Sequence, residues 1–410
     1  MIEKYERMVV NRIAILKNSI QEYVWGSKTF IPQLIGQISP AERPQAELWM
    51  GAHPKAPSKI LWENRWISLE ESIDNHPEDI LGAPVAERYF KKLPFLFKVL
   101  AAAKPLSIQT HPNRKQAKAG FDMENSRKIP MDAPNRNYKD ENHKPELICA
   151  LRPLWALKGF RKIESILVLM EKIGPSAKAL GIDILRNRQN VEGLQGFFSA
   201  LMGMDGKHQK KAIGKMVACV EKQADSEPAF EWLLKLNRAY PGDIGVLAPL
   251  LLNVVLLQPG EAVYIPSGEL HAYLEGSGLE LMANSDNVLR GGLTPKHIDT
   301  PELLSVLDFT HHEVDIIKPE MLKTGECVYQ TPAAEFILSR ISLHKNSPFE
   351  SPRRRSVEIL ISVEGEARIT DLGNHDTLDL SQGTAVIIPS SVKQYLIQGE
   401  SALYKAAVPL

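Results

Sequence analysis

The dodecapeptide Gly260–His271, GEAVYIPSGELH, returns in altered form at Gly383–Gln394 as GTAVIIPSSVKQ. Aligned without gaps, Gly260 matches Gly383, Ala262 matches Ala385, Val263 matches Val386 and Pro266 matches Pro389. Each copy reads as a short apolar strand running into a proline turn. A turn of fixed geometry decides where the next strand starts and which way its first side chain points. Two such units in a chain of 410 residues, long enough for two or three domains, argue for a duplicated β architecture. The copies differ where chemistry would sit. Gly268 becomes Ser391, and His271 becomes Gln394.

The rest of the chain fits this frame. From Ile13 to about Leu157 the pattern is strand-like, with frequent Pro and Gly punctuation, as in IAILKNS, LPFLFKVL and PELICAL. It then turns helical. Leu194, Phe197, Phe198 and Leu201 fall at i, i+3, i+4, i+7, and Ile213, Met216, Val217 and Val220 repeat the spacing. Strands resume at LLLNVVLLQPGEAVYIP and again from about Pro332 to the end. The expected fold is mainly β: two jelly-roll barrels with an α-helical insertion. The expected division is 1–158 and 243–300 for the first barrel, 159–242 for the helical insertion, and 301–410 for a linker and the second barrel.

The first copy has the form G-x5-P-x-G-x2-H, which resembles the second metal-binding motif of cupins, small jelly-roll barrels that hold a metal among inward-facing side chains. Cupins also carry H-x-H on an earlier strand. The corresponding element is Gln109-x-His111 in PLSIQTHP, where Ser107, Gln109 and His111 share one face of a strand. Glu146, directly before the apolar run LICAL, is the candidate carboxylate. The expected metal site is Gln109, His111, Glu146 and His271, with one position open to water or substrate. Taken singly, a Gln or His on a strand is usually solvated or hydrogen-bonded, and Glu146 could be a surface carboxylate. The second copy has Gln394 in place of the histidine and offers no nearby substitute carboxylate, so the second barrel is expected to be metal-free.

Beyond these motifs, nearly the whole chain resembles the type I phosphomannose isomerases. The resemblance rests on YVWGSKTF (23–30), QAELWMGAHPKAPS (45–58), LPFLFKVLAAAKPLSIQTHPN (93–113), NYKDENHKPEL (137–147), LLLNVVLLQPGEA (250–262) and HAYLEGSGLELMANSDNVLRGGLTPK (271–296). It implies one zinc ion per chain on Gln109, His111, Glu146 and His271. It implies that Arg290 is the catalytic arginine and that Lys144, Asp286 and Lys296 line the pocket. The implied activity is zinc-dependent interconversion of mannose 6-phosphate and fructose 6-phosphate through a cis-enediol.

Lys144 lies two residues from Glu146, so on a strand it would reach the same pocket. Glu280 and Asp286 are candidate acid/base carboxylates. Ser107 and Lys296, with Arg290, are candidates for the phosphate, and Gly291 and Gly292 read as space left for substrate. Two other readings stay open. One is a non-catalytic two-barrel protein that senses a sugar phosphate. The other is an iron-dependent oxygenase, which the extra Gln109 ligand disfavours.

Charge and composition exclude little else. Lys plus Arg equals Asp plus Glu at 49 each, which gives no reason to expect nucleic acid or an anionic membrane as partner. No run approaches the ~20 apolar residues of a membrane span. The start, MIEKYERMVVNR, does not read as a secretory signal. Cys149, Cys219 and Cys327 are odd in number and scattered, which argues for a reducing compartment. A cytoplasmic monomer acting on a small phosphosugar is expected.

Overall fold

Phe95–Ala102, FLFKVLAA, is a strand buried at all eight positions. A strand covered on both faces reads as a continuous apolar run, and Lys98 is the one charge that interrupts it. On one side it pairs antiparallel with Glu47–Met50 and on the other with His271–Ala283. In this computed structural model, which describes residues 11–62, 65–345 and 347–410, these strands are the centre of a ten-stranded sheet. Residues 1–10, which carry most of the charged start, lie outside the described residues.

The ten-stranded sheet runs Leu252–Leu257, Leu154–Phe160, His271–Ala283, Phe95–Ala102, Glu47–Met50 and Ser19–Gln21 in spatial order. Glu146–Ala150 pairs with both Ala262–Ile265 and His271–Ala283. Ile108–Thr110 lies between His271 and Leu289–Gly292. An eleven-stranded sheet is built mainly from the C-terminal third, around Tyr395–Ala407, Glu358–Asp371 and Ala385–Ile388. The two repeat copies therefore sit in different sheets, each as a strand–turn–strand unit. Gly260 and Gly383 share a left-handed φ of +87° and +81°.

The N-terminus does something the sequence pattern does not reveal. Ala14–Lys17 pairs with Ala385–Ile388 of the C-terminal sheet and with Lys59–Trp62, carrying Arg65–Ser68 along. One apolar cluster joins the two β units, from Leu16, Phe95 and Leu147 to Tyr329, Ile359 and Tyr404.

The helical insertion is present, from Ile163–Lys172 through Ala248–Leu251. Leu194, Phe197, Phe198, Leu201, Ile213, Met216 and Val220 are buried in a core that also takes Trp232 and Phe230, and Val217 packs partly buried against it. The strand-like reading of the first region needs correction. It also contains the helices Phe30–Leu34, Leu69–Asn75, Pro77–Leu81, Ala83–Arg88 and Arg114–Ser126. Their signals are local caps rather than long periodic runs. Asn113 and Gln116 form a reciprocal capping box, Ser68 caps the helix after it, and prolines stand at the first turns of Pro77–Leu81 and Ala83–Arg88.

Candidate active site

His271 is the first residue of its strand because the chain turns at Gly268, whose φ is +85°. The Gly268 N–H donates to the His111 carbonyl at 2.8 Å, which ties the turn to the strand carrying the other imidazole. A Cβ at Gly268 would stand 3.1 Å from the Val306 carbonyl, so glycine is required twice over. Opposite, His271 is in register with Gln109, and Gln109 in turn with Arg290. Glu146 opens the strand that pairs with Ile265 and Met282. Three strand ends thus deliver His111, Glu146 and His271 to one point. Among the described residues, this is the only group of three His, Cys, Asp or Glu side chains whose donor atoms lie close enough together for one ion, all within 4.8 Å.

All three are buried, with His111 and Glu146 at 1% exposure and His271 at 0%. Each imidazole spends its Nδ1 on a backbone carbonyl: His111 on Asn287 at 2.7 Å, His271 on Glu269 at 3.0 Å. That arrangement fixes the tautomer and leaves each Nε2 as a lone pair. The two Nε2 atoms approach the Glu146 oxygens at 3.1 and 3.2 Å, yet neither makes a hydrogen bond. Buried polar atoms without partners are rare, and here two of them face one carboxylate. Burial, reinforced by the Lys144 charge, pushes the His111 pKa down to about 4, so the ring is neutral at physiological pH. Burial alone would raise the Glu146 carboxyl, but its surroundings, the Lys144 ammonium first among them, outweigh burial and hold it well below its ordinary value. Two imidazoles, one carboxylate and orphaned Nε2 atoms suit a divalent metal ion.

The surroundings are charged. Lys144 is buried, with Nζ 2.9 Å from Glu146 Oε1. The Tyr273 hydroxyl donates to Glu146 Oε2 at 3.3 Å. Glu280 is buried, which raises its pKa in spite of the Lys98 ammonium 2.8 Å away. Arg290 is half-buried, its guanidinium makes no hydrogen bond or ion pair among the described residues, and burial lowers its pKa. Gln109 and Ser107 are half-buried, while Lys296 is exposed. Burial, then the nearby Arg290 and Lys55 charges, lower the Lys296 pKa. Asp286 is paired with Lys55 at 2.9 Å and His53 at 3.5 Å, and these partners overcome burial to depress its pKa strongly.

Gly291 and Gly292 leave no room for substrate. A Cβ on Gly292 would meet Gly245 Cα at 2.7 Å, and one on Gly291 would meet Leu270 at 3.3 Å, so both glycines admit protein neighbours. Two charged residues escaped the sequence reading. Lys98 is 6% exposed and lies 3.9 Å from Glu47, which is 7% exposed. Their signal was a lone charge inside an otherwise apolar strand, in FLFKVL and AELWM.

Two family models match this chain: the catalytic domain of type I phosphomannose isomerase at residues 13–163 and its helical insertion domain at 173–252. The chain is 44% identical to a mannose-6-phosphate isomerase of Salmonella typhimurium over 355 residues, 86% of this chain and 89% of that protein. The chain belongs to the type I phosphomannose isomerase family. It is also 40% identical to the Escherichia coli mannose-6-phosphate isomerase, covering 95% of this chain and 97% of that one. A human relative is 37% identical, with 93% and 94% covered. Among solved structures, a variant phosphomannose isomerase from Salmonella typhimurium superposes with a TM-score of 0.91 at 39% identity, covering 97% of this chain and all of that one. A mannose 6-phosphate isomerase described as zinc-bound superposes at 0.89 with the same identity and the same share of this chain.

Proposed function

We propose that this chain is a zinc-dependent aldose–ketose isomerase that interconverts mannose 6-phosphate and fructose 6-phosphate through a cis-enediol. The observation that carries the proposal is the convergence of two partnerless imidazole Nε2 atoms on the buried Glu146, with the unpaired Arg290 side chain on the strand beside Gln109. We place one zinc ion per chain on His111, Glu146, His271 and Gln109. When bound, zinc supplies a Lewis acid and a template for adjacent oxygens.

The protein side chains divide the remaining work. The open-chain sugar loses a proton from the carbon next to its carbonyl, and the enediol regains one on the neighbouring carbon. Lys144, held beside Glu146, orients a sugar hydroxyl or passes the proton. Arg290 offers a planar two-donor fork to the oxyanion that develops on O1 or O2, and stabilising that charge is usually the largest catalytic term. Glu280, with its raised pKa and its lysine partner, is the second acid/base candidate. Asp286 is held ionised by Lys55 and His53, so it orients groups and has no proton to give at neutral pH. Ser107 and Lys296 receive the phosphate.

In support of a reducing compartment such as the cytoplasm stand the three free cysteines, with Cys149 buried, and we keep a monomer as the working assembly. No helix among the described residues is long and apolar enough to cross a membrane. We keep the division at 158, 242 and 300 as the working domain map, with both β units read as jelly rolls. The test is isomerisation in deuterated water with zinc-loaded protein. Solvent deuterium should enter C2 of mannose 6-phosphate and C1 of fructose 6-phosphate. Failure to interconvert the two esters would overturn the function, and conversion without deuterium would overturn the enediol.

A further inference from the structure

Away from the catalytic centre, helix Ala83–Arg88 packs against the C-terminal β unit. The preceding helix, Pro77–Leu81, is tied to the same unit: the Ser390 and Ser391 N–H groups donate to its Ile80 and Asp79 carbonyls. A cavity of about 390 Å³ opens along this seam. Its lining includes Arg88, Arg353, Arg354, Arg355 and Lys393 and not one acidic side chain.

Four of these cations are exposed: Arg88, Arg353, Arg354 and Lys393. None of the four forms an ion pair among the described residues, although the chain as a whole is electrically neutral and elsewhere spends many of its surface lysines and arginines on carboxylates. Unpaired like charges around one concave surface repel each other, and an anion relieves that repulsion. Arg355 is different, at 8% exposure. Its two Nη atoms are consumed by Glu358 and the Pro389 carbonyl, but its Nε–H is buried without a partner. The Arg355 guanidinium also lies over the ring of the buried Tyr395, so it serves the C-terminal unit and leaves the four exposed cations to face the cavity.

The cavity also has an apolar wall. Val85, Val408 and Pro409 line it, and the Arg88 guanidinium lies 5.3 Å from the Tyr89 ring. Planar guanidinium forks match phosphate oxygens, while an apolar wall accepts a carbon skeleton. We infer that this seam binds a phosphorylated small molecule, with the phosphate among Arg353, Arg354, Lys393 and Arg88 and its organic part against Val85 and Pro409.

The test uses the full chain, with glycerol 3-phosphate, inorganic phosphate and potassium chloride at matched ionic strength. Amide hydrogen exchange reports where each binds. Glycerol 3-phosphate should protect residues 83–90, 351–357 and 390–394, more tightly than inorganic phosphate does, and chloride should not. The double variant Arg353→Glu, Arg354→Glu should weaken that binding about tenfold or more, since two charge-assisted donors become repulsive. Its isomerase turnover should be unchanged, because neither residue belongs to the catalytic centre. Protection confined to 108–111 and 289–296, equal protection by chloride, or full affinity in the double variant would each overturn the site. Equal affinity for inorganic phosphate would overturn the role of the apolar wall. Should the double variant misfold, Lys393→Glu alone must still weaken binding. This readout does not depend on catalysis, so it stands or falls separately from the isomerase proposal.

Discussion

The two β units carry the same buried positions and fill them differently. The repeat aligns Ile265 with Ile388; Ile265 is in register with Glu146, and Ile388 with Glu358. The same ladder matches Glu280 with Lys405, Lys98 with Ser339 and Glu47 with Glu326. The expectation that the second unit lacks a substitute carboxylate is therefore corrected: Glu358 stands where Glu146 stands. In the catalytic unit, Lys98 pairs with Glu280 and lies close to Glu47, while Glu146 faces two imidazoles and Lys144. In the C-terminal unit, Lys405 reaches both Glu326 at 2.7 Å and Glu358 at 3.1 Å, and Arg355 touches Glu358 at 3.3 Å. Side-chain cations hold the carboxylate that in the other unit faces the metal position. The two units thus differ by more than one histidine, because a buried carboxylate requires a partner and here that partner is a pair of side-chain cations.

Removing the cation from the catalytic unit is the most severe way to break the comparison. Glu146→Gln or His271→Ala should abolish zinc binding and reduce turnover to background, as should exhaustive chelation of the wild type, reversed by added zinc. Metal analysis alongside a coupled fructose 6-phosphate assay checks this. Full activity in metal-free protein would remove the site from the chemistry. Next in size is Arg290→Ala, which should retain zinc yet lose roughly 10²–10³ in kcat, the scale for removing one oxyanion donor. Arg290→Lys should recover only part of that loss. A raised KM with kcat intact would reassign Arg290 to the phosphate alone.

Much of this site was legible in the sequence. His271 follows from turn spacing, and His111 from alternation along a short strand. Glu146 follows from a carboxylate placed before an apolar run. Lys98 and Glu47 were legible in principle as single charges in buried strands, but an apolar run does not say which neighbour would neutralise them. The pairing of Ala14–Lys17 with Ala385–Ile388 was beyond reach, because strand partners far apart in the chain share no local pattern. Glu358 falls between these cases. It precedes the apolar run ILIS much as Glu146 precedes LICA, yet only the register shows that the two positions correspond.

The C-terminal unit yields a prediction of stability rather than catalysis. Lys405 is 4% exposed, and Lys405→Met would leave Glu326 buried without its ammonium and Glu358 with Arg355 alone. Breaking one side of a buried ion network typically costs about 3–5 kcal/mol. Denaturant unfolding should show a loss of that order, while folded protein keeps its zinc and its turnover. An unchanged midpoint would mean that Lys405 does not take the place of a metal charge.

Gln394→His is the smallest change and the sharpest test. It restores the imidazole at the position aligned with His271. If histidine were all that the second unit lacked, zinc content would rise toward two ions per chain. The structure argues otherwise. Gln394 donates to Glu350 at 2.6 Å and to the Ser351 carbonyl at 3.1 Å, so its side chain is committed outside the Glu358 cluster. Glu358 already has Lys405 and Arg355, and a divalent ion would have to displace both from a buried carboxylate. The variant should therefore keep one zinc per chain and normal kcat, and lose about 1 kcal/mol of stability from the missing hydrogen bonds. A second zinc bound with micromolar or better affinity would show that the side-chain cations do not close the site, and the correspondence between Lys405 and the metal would fail with it.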